Sequence, residues 1–413
     1  MKKIELLSPV GYFDSLQAAI NGGADAIYFG VEQLNMRTRS AACFEIEDLE
    51  KIAGICKQHS IRAYITLNTV MFDHDRQLLT RILKEVKRTG IDAVIAADFA
   101  VIKQCNELGI PLHISTQANV SNVDSVKFFS RFADVIVLAR ELTLNQVKQI
   151  TKEIKRKNIK GPAGELIKIE LFGHGALCMA VSGKCYLSLH TQHASANRGA
   201  CVQNCRRPYL VKDAETGEEL LVDNEYIMSP KDLCTIDILD ELINSGVDVF
   251  KIEGRSKGAD YVQVVTKCYR EAIDAFCDGS YTKEKIAGWM EDLGKVYNRG
   301  FWEGYYLGRK LGEWTPSPGS IATEKRIYIG KASNYFSKIG VGEFILESGS
   351  IKAGDTIMVL GPSCGMHKEK MENLIVNGIE KQEATRGDKL TFPFPNKVTP
   401  SDKLYKVLKN EHA

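Results

Sequence analysis

RAYITLNTVMFDHDRQLLTRILKEVKRTGIDAVIAAD, residues 62–98, holds a whole folding unit. RAYITLNTV is apolar and β-branched like a strand, DRQLLTRILKEVKRTG spaces its apolar residues along one helical face, and AVIAAD returns to a strand. The same alternation extends outward from it. IELLSPV, DSLQAAINGG, AIYFGV and IEDLEKIAGICKQH precede it; AVIKQCNELG, PLHISTQANV, SVKFFSRF, DVIVLAREL, LNQVKQITKEIKRK and IKIELFGHG follow. DVFKIEGR and the helical ADYVQVVTKCYREAIDAF bring the strand-like segments to eight. Eight βα units predict a closed parallel (β/α)8, TIM-like barrel of the α/β class. No GxGxxG follows the first strand, which argues against a doubly wound open sheet.

Two domains are expected of 413 residues. The barrel is assigned to residues 1–311, with a cysteine-rich insertion at about 173–235 after the seventh strand. Within the insertion, YLVKDAETGEELLVD reads as a β-hairpin around Glu215, Thr216 and Gly217. Residues 312–320, GEWTPSPGS, read as a linker. Beyond it RIYIGKAS, VGEFILE, DTIMVLGP, KLTFPF and KLYKV predict a small all-β barrel over 321–413.

A formal net charge of +2 with 26% charged residues describes a globular chain and by itself selects no polyanion partner. MKKIELLSPVGYF reaches Ser8, Pro9 and Gly11 before any apolar run of signal-peptide length, and no stretch approaches membrane-spanning length. A cytoplasmic location and no membrane contact are therefore expected. In a reducing compartment eleven cysteines are not a disulfide framework. Cys56, Cys105, Cys268 and Cys277 lie in helical patterns, where cysteine acts as a small buried hydrophobe.

The remaining thiols concentrate in GHGALCMAVSGKCYLSLHTQHASANRGACVQNCRRPY, residues 173–209. Six residues separate Cys178 from Cys185, three separate Cys201 from Cys205, and Cys234 lies further on. Structural zinc favours C-x-x-C knuckles, and none is present; loose spacing suits a 4Fe-4S cluster held from several loops, with zinc as the alternative. His190 and His193 are second choices as ligands.

A parallel barrel carries its chemistry at the C-terminal ends of its strands. Those ends hold Asn68, Gln117, Arg140, Glu170 with His174, and Glu253 with Arg255. Glu170, Glu253 and Arg255 stand in or beside apolar strands, where an unpaired charge is costly, so ion pairing or ligand contact is expected.

Glu170, Phe172, Gly173, Gly175, Ala176, Leu177, Cys178, Gly183, Cys185 and Ser188, with NRGAC at 197–201, closely resemble the signature of the collagenase-like peptidase family, U32. SPKDLC at 229–234, KIEGR at 251–255 and NRGF at 298–301 match it as well, so the resemblance covers essentially the whole chain. It is most similar to the family's tRNA uridine hydroxylation members, and it departs from their usual loop at LSLHTQHASANRGAC.

The resemblance implies an oxygen-independent hydroxylation of tRNA, another RNA or a quinone precursor, with prephenate or a similar small dicarboxylate as hydroxyl source. It implies a 4Fe-4S cluster on Cys178, Cys185, Cys201 and Cys234, with Cys205 a spare neighbour able to replace Cys201. An electron-transfer or family-related protein partner is also implied. On this reading Arg37, Arg140 and Arg255 are carboxylate forks, and Glu170 and Glu253 orient them or move protons. Arg198, Arg206 and Arg207, with Lys184 and Tyr209, contact phosphates and stack on a base. The family label implies a metal- or cysteine-dependent peptidase instead, but the chain has no H-E-x-x-H and no G-x-S-x-G. A scaffold whose metal only pins the insertion is the third possibility.

Overall fold

The computed structural model describes residues 3–36, 44–210, 212, 215–217, 228–308, 313–315 and 319–410. Strands and helices alternate as β1 Glu5–Pro9, α1 Phe13–Asn21, β2 Ala26–Phe29, α2 Leu49–Gln58, β3 Arg62–Leu67, α3 Arg76–Thr89, β4 Ala93–Ala96 and α4 Phe99–Leu108. They continue as β5 Leu112–Ile114, α5 Val123–Phe129, β6 Val135–Val137, α6 Leu144–Arg156 and β7 Lys168–Gly175. After the insertion, with its short helix α7 Leu187–Gln192, come β8 Asp232–Cys234, α8 Leu239–Asn244, β9 Val249–Ile252, α9 Ala259–Asp278, α10 Lys283–Lys295 and β10 Phe301–Trp302.

Parallel pairing runs from β1 to β7 in order. β9 then pairs with both β7 and β1, which closes a ring of eight. The expected barrel is present, with β9 as its eighth strand. β8 and β10 extend the sheet outside the ring, β8 antiparallel to the end of β7.

Local chemistry explains the units. β4, AVIA, is buried throughout, as a parallel strand covered on both faces must be. α3 turns Leu79, Ile82, Leu83 and Val86 inward and ends at Gly90, whose φ of 75° is the left-handed conformation of a C-cap. α6 begins at Thr143, which caps Gln146 and is capped by it in return. Alternate strand residues face opposite ways. Leu6, Ile27, Ile65 and Val94 pack beneath the helices. Leu7, Tyr28, Tyr64, Ile95 and Val249 fill the barrel interior.

The C-terminal region is antiparallel: β11 Glu324–Phe336, β12 Val341–Leu346, β13 Ser350–Lys352, β14 Thr356–Gly361, β15 Gly365–Lys370, β16 Leu374–Val376, β17 Ile379–Lys381, β18 Glu383–Thr385, β19 Lys389–Pro393 and β20 Lys403–Lys409. Eight of these form one sheet in the order β15-β14-β20-β11-β12-β19-β16-β17, and β13 pairs with β18. Ile329, Phe344, Val359, Leu374 and Phe392 share one core although their strands are spread across that order, so the sheet wraps around it, and Ile351 of β13 joins the same core.

This region docks on α1 and α9. Asn21 Nδ2 donates to Cys364 O at 2.7 Å and Gln263 Nε2 to Met366 O at 3.0 Å. A Cβ on Gly365 would stand 2.6 Å from Ala18 N, and its φ of +65° is itself unfavourable for larger residues. Gly365→Val is expected to destabilise the docked state by about 1–3 kcal/mol or more, read as earlier protease cleavage of the C-terminal region.

Two sequence expectations fall partly outside the described residues: most of the hairpin around Gly217, at 211, 213–214 and 218–223, and part of the linker, at 312 and 316–318. Cys56, Cys105 and Cys268 are buried as expected, whereas Cys277 is exposed, because the last turn of α9 runs past the core that its earlier turns cover. Among the described residues no helix is long and apolar enough to cross a membrane.

Candidate functional site

A cavity of about 280 Å³ opens at the C-terminal ends of the barrel strands, with strand residues as its floor and the cysteine-rich insertion as its roof. At the floor, Lys251 of β9 places Nζ 2.8 Å from Glu170 Oε1 of β7, and it lies over the ring of Tyr28 at 4.4 Å. Glu170 is 0% exposed, and its Oε2 makes no hydrogen bond among the described residues. A carboxylate at such a depth requires a cation beside it. Tyr28 donates its hydroxyl to Ile252 O at 2.9 Å and to Glu253 Oε2 at 3.1 Å. Burial, reinforced by Glu253, raises the pKa of that phenol, so it stays a donor.

Arg140 lies 3.7 Å over the Phe172 ring and donates to Ala176 O at 2.9 Å, and its buried Nε has no partner among the described residues. Arg255 is committed to structure as well as facing the cavity. It donates to Asn35 Oδ1 at 3.0 Å, to Thr66 Oγ1 at 2.8 Å and to Met36 O, pinning the chain after β2. Asn68 accepts from Met36 N at 3.1 Å and donates to Gln117 Oε1 at 3.1 Å, so the two amides brace one rim of the mouth. Arg37 lies outside the described residues.

Several expected residues stand elsewhere. His174 is 1% exposed and packs against Tyr261, Tyr269 and Phe301, away from the cavity. The cause is a register shift between Phe172 and His174 against β9, which breaks the alternation of β7 and re-aims the imidazole outward. Arg198 forks onto Asp75 and donates to Val70 O at 2.9 Å, anchoring the insertion to the chain after β3. Arg206 faces the cavity, but it donates to Leu177 O and Pro230 O, each at 2.6 Å. Arg207 and Lys184 are exposed, and neither they nor His190 and His193 line the cavity. Tyr209 donates its hydroxyl to Asn204 O at 2.8 Å.

Burial holds the His174 imidazole at about 3 against an ordinary 6.5. Between those values the unfolded chain carries the proton and the folded chain does not. Stability is therefore complete above about pH 6.5 and falls as the pH drops toward 3, by on the order of 1 kcal/mol per unit from this residue. His113, inside the barrel, is shifted the same way. His174→Phe is expected to flatten part of the acid slope of urea midpoints.

Four thiols line the cavity: Cys178, exposed, and Cys185, Cys201 and Cys205, half-buried. Burial pushes the Cys205 thiol up; Arg206 opposes the shift, and Cys178, Cys201 and Cys185 reinforce it. Cys234 is not among them. It lies on β8, buried, with Sγ 3.8 Å from Met290 Sδ and 3.9 Å from the Tyr269 hydroxyl, and burial pushes it up to about 12. The structure thus groups Cys205, not Cys234, with Cys178, Cys185 and Cys201, because β8 pairs outside the ring and turns its side chain toward α9 and α10. Among the described residues no group of three Cys, His, Asp or Glu side chains is arranged to hold a single metal ion; the four thiols face one common cavity.

Sequence reasoning passed over Lys251, Lys257, Tyr297 and Arg299. Arg299 is 7% exposed, donates from Nε to the Tyr297 hydroxyl at 3.1 Å, and sets Nη1 3.5 Å from Asp232 Oδ1. Lys257 Nζ stands 3.0 Å above the Tyr297 ring. A lysine inside the apolar strand DVFKIEG was the readable signal for Lys251; for the others only the pieces KIEGR and NRGF pointed to the region. Among the described residues, Arg140, Arg206, Lys251, Arg255, Lys257 and Arg299 line the cavity against one carboxylate, Glu253.

The model of Peptidase family U32 matches residues 11–316. The chain is 52% identical over 407 residues to a protein named Collagenase from Porphyromonas gingivalis, covering 98% of each. It is 29% identical over 414 residues to tRNA hydroxylation protein P1 of Bacillus subtilis, covering 98% of this chain and 95% of that one. To tRNA hydroxylation protein P of Helicobacter pylori it is 34% identical over 322 residues, covering 75% and 73%. On the extent of the family match and of these alignments, the chain belongs to peptidase family U32.

Proposed function

We propose that this chain is an enzyme that hydroxylates a base of RNA, tRNA first, using an iron-sulfur cluster held by Cys178, Cys185, Cys201 and Cys205. One observation carries the reading: four thiols and a cation-lined cavity share one space at the barrel mouth. The donor type fits such a group, since four cysteines facing one cavity are the ligands a 4Fe-4S unit takes. When bound, it supplies one-electron chemistry next to the cavity.

The chain's own residues supply the rest. Lys251 and Arg140 at the floor bind the carboxylates of a small dicarboxylate hydroxyl donor, with prephenate as the candidate. Glu170 positions Lys251 through the buried pair. Glu253, bonded by the Tyr28 hydroxyl, holds or moves the proton at its Oε2. The insertion covers the mouth and limits water.

The collagenase name of a relative 52% identical favours peptide hydrolysis as a second reading. Against it, no histidine lines the cavity among the described residues, so no thiol there has an imidazole base. Nucleoside mass analysis of tRNA and ribosomal RNA from a strain lacking this protein tests the two. Loss of a hydroxylated pyrimidine, restored by the wild-type chain, is expected. Unchanged RNA together with collagen cleavage by the purified protein sinks the hydroxylation reading.

A further inference from the structure

The loop after β3 carries an exposed aromatic ring at the edge of the mouth. Asn68, at the end of β3, lines the cavity, and Phe72 follows four residues later, within about 14 Å along the chain. Phe72 is 52% exposed. Val70 beside it and Phe99 on the loop after β4 are exposed as well, and Met71 N joins the two loops by donating to Asp98 Oδ2 at 3.0 Å. Single exposed apolar side chains are ordinary on a protein surface. This ring differs in being held. Phe72 N donates to Asp75 Oδ2 at 2.7 Å, and Phe72 O accepts from Asp75 N at 2.9 Å. The Arg198 guanidinium lies 4.2 Å from the ring centroid, fixed there by its pair with Asp75 and its bond to Val70 O. Val70 N in turn donates to Asn197 O at 3.0 Å, next to Ala196, which lines the cavity. One side of the ring is thus backed by a planar cation, and what remains exposed is the part that the guanidinium does not cover.

We infer that Phe72, backed by Arg198, is a stacking platform for an unpaired RNA base that flanks the base entering the mouth. The inference rests on the RNA reading above and deepens it. A polynucleotide that delivers one base to a cavity at the barrel mouth lays the nucleotides beside that base across the rim. Unpaired bases are held by stacking on aromatic rings and guanidinium planes. A ring that is already fixed loses little freedom when a base covers it. Stacking there breaks no existing pair, since Arg198 keeps both Asp75 and Val70 O. Because every base has a flat π-face, the platform adds affinity and position rather than choice of neighbouring base.

The test titrates the whole chain, purified without oxygen, with a short uridine-rich oligoribonucleotide over a range of salt concentrations. Phe72→Ala is expected to weaken binding about tenfold and to leave the slope of log affinity against log salt unchanged, because stacking is uncharged. Phe72→Trp is expected to bind as tightly as the wild type or more tightly. Phe72→Leu, apolar but without a π-face, is expected to fall with Phe72→Ala. Iron content is expected to match the wild type in all three, since Phe72 does not line the cavity. RNA from a deletion strain carrying Phe72→Ala is expected to hold less hydroxylated pyrimidine than RNA from the strain carrying the wild-type chain. Wild-type affinity in both Phe72→Ala and Phe72→Leu overturns the platform, and hydroxylated nucleoside in the wild-type strain then leaves the RNA reading standing. Binding retained equally by Phe72→Leu and Phe72→Trp but lost in Phe72→Ala also overturns stacking and marks the ring as a general apolar contact, suited to a protein partner. A wild-type chain that binds no RNA and restores no hydroxylated nucleoside removes the RNA reading and the platform with it.

Discussion

Cys205→Ala is expected to leave the anaerobically purified chain without its iron and its brown colour, and Cys234→Ala is expected to keep both. The two thiols differ in surroundings. Cys205 shares the cavity with Cys178, Cys185 and Cys201 and is near enough for each to act on its ionisation. Cys234 is enclosed by Met290 and Tyr269, and burial holds it protonated at ordinary pH. As iron ligation needs thiolate, the fully enclosed Cys234 pays a desolvation penalty with no cation beside it among the described residues, whereas Arg206 opposes the effect of burial on Cys205. Cys234→Ala therefore acts as a core substitution, lowering stability by about 1 kcal/mol. Iron content and absorption of the two variants decide the matter; loss of iron in Cys234→Ala with retention in Cys205→Ala contradicts the assignment.

The second large effect concerns Lys251 and Glu170. Removing one partner of a buried ion pair leaves the other charged in a medium that cannot solvate it, at a cost of about 3–5 kcal/mol. Lys251→Met is expected to destabilise the chain by that amount, because Glu170 is fully enclosed and one of its oxygens already makes no hydrogen bond among the described residues. Lys251→Met with Glu170→Leu restores most of the stability, since apolar side chains of similar volume satisfy the barrel interior. It is not expected to restore the proposed hydroxylation, because the floor cation is gone. Equilibrium denaturation and RNA nucleoside analysis on the same variants separate the two effects. A double variant that is stable and fully active removes Lys251 from the site.

The barrel was legible because its strands are buried on both faces and write themselves as short apolar runs, while its longer helices show one apolar stripe and some, such as α3 and α4, end at a glycine, Gly90 and Gly109. The C-terminal strands longer than five residues were legible for a similar reason, apart from GMHKEK of β15, whose charged residues hide its alternation. The very short β13, β16, β17 and β18 carry too few residues to show a period.

The site was legible only in its parts. Strand-end reasoning found Arg140, Glu170, Glu253 and Arg255, but not the Lys251 that pairs with Glu170, because alternation along one strand does not say that β9, far along the chain, pairs beside β7. His174 was misplaced by a register shift at a glycine, which no periodicity reveals. The resemblance put Cys234 in the ligand set with Cys205 as the alternative; the structure places Cys205 at the cavity and Cys234 outside it, a difference that rests on which face a three-residue strand presents and that no spacing reveals. Arg299 reaches the mouth from beyond α10, far in sequence from the strand ends that were searched.

Iron and acid-labile sulfide analysis of the wild-type chain, purified without oxygen, tests the central claim most directly. Convergence of four thiols on one cavity predicts about four iron and four sulfide per chain. Stoichiometric zinc without sulfide, or a chain that takes up no iron on anaerobic reconstitution, contradicts it.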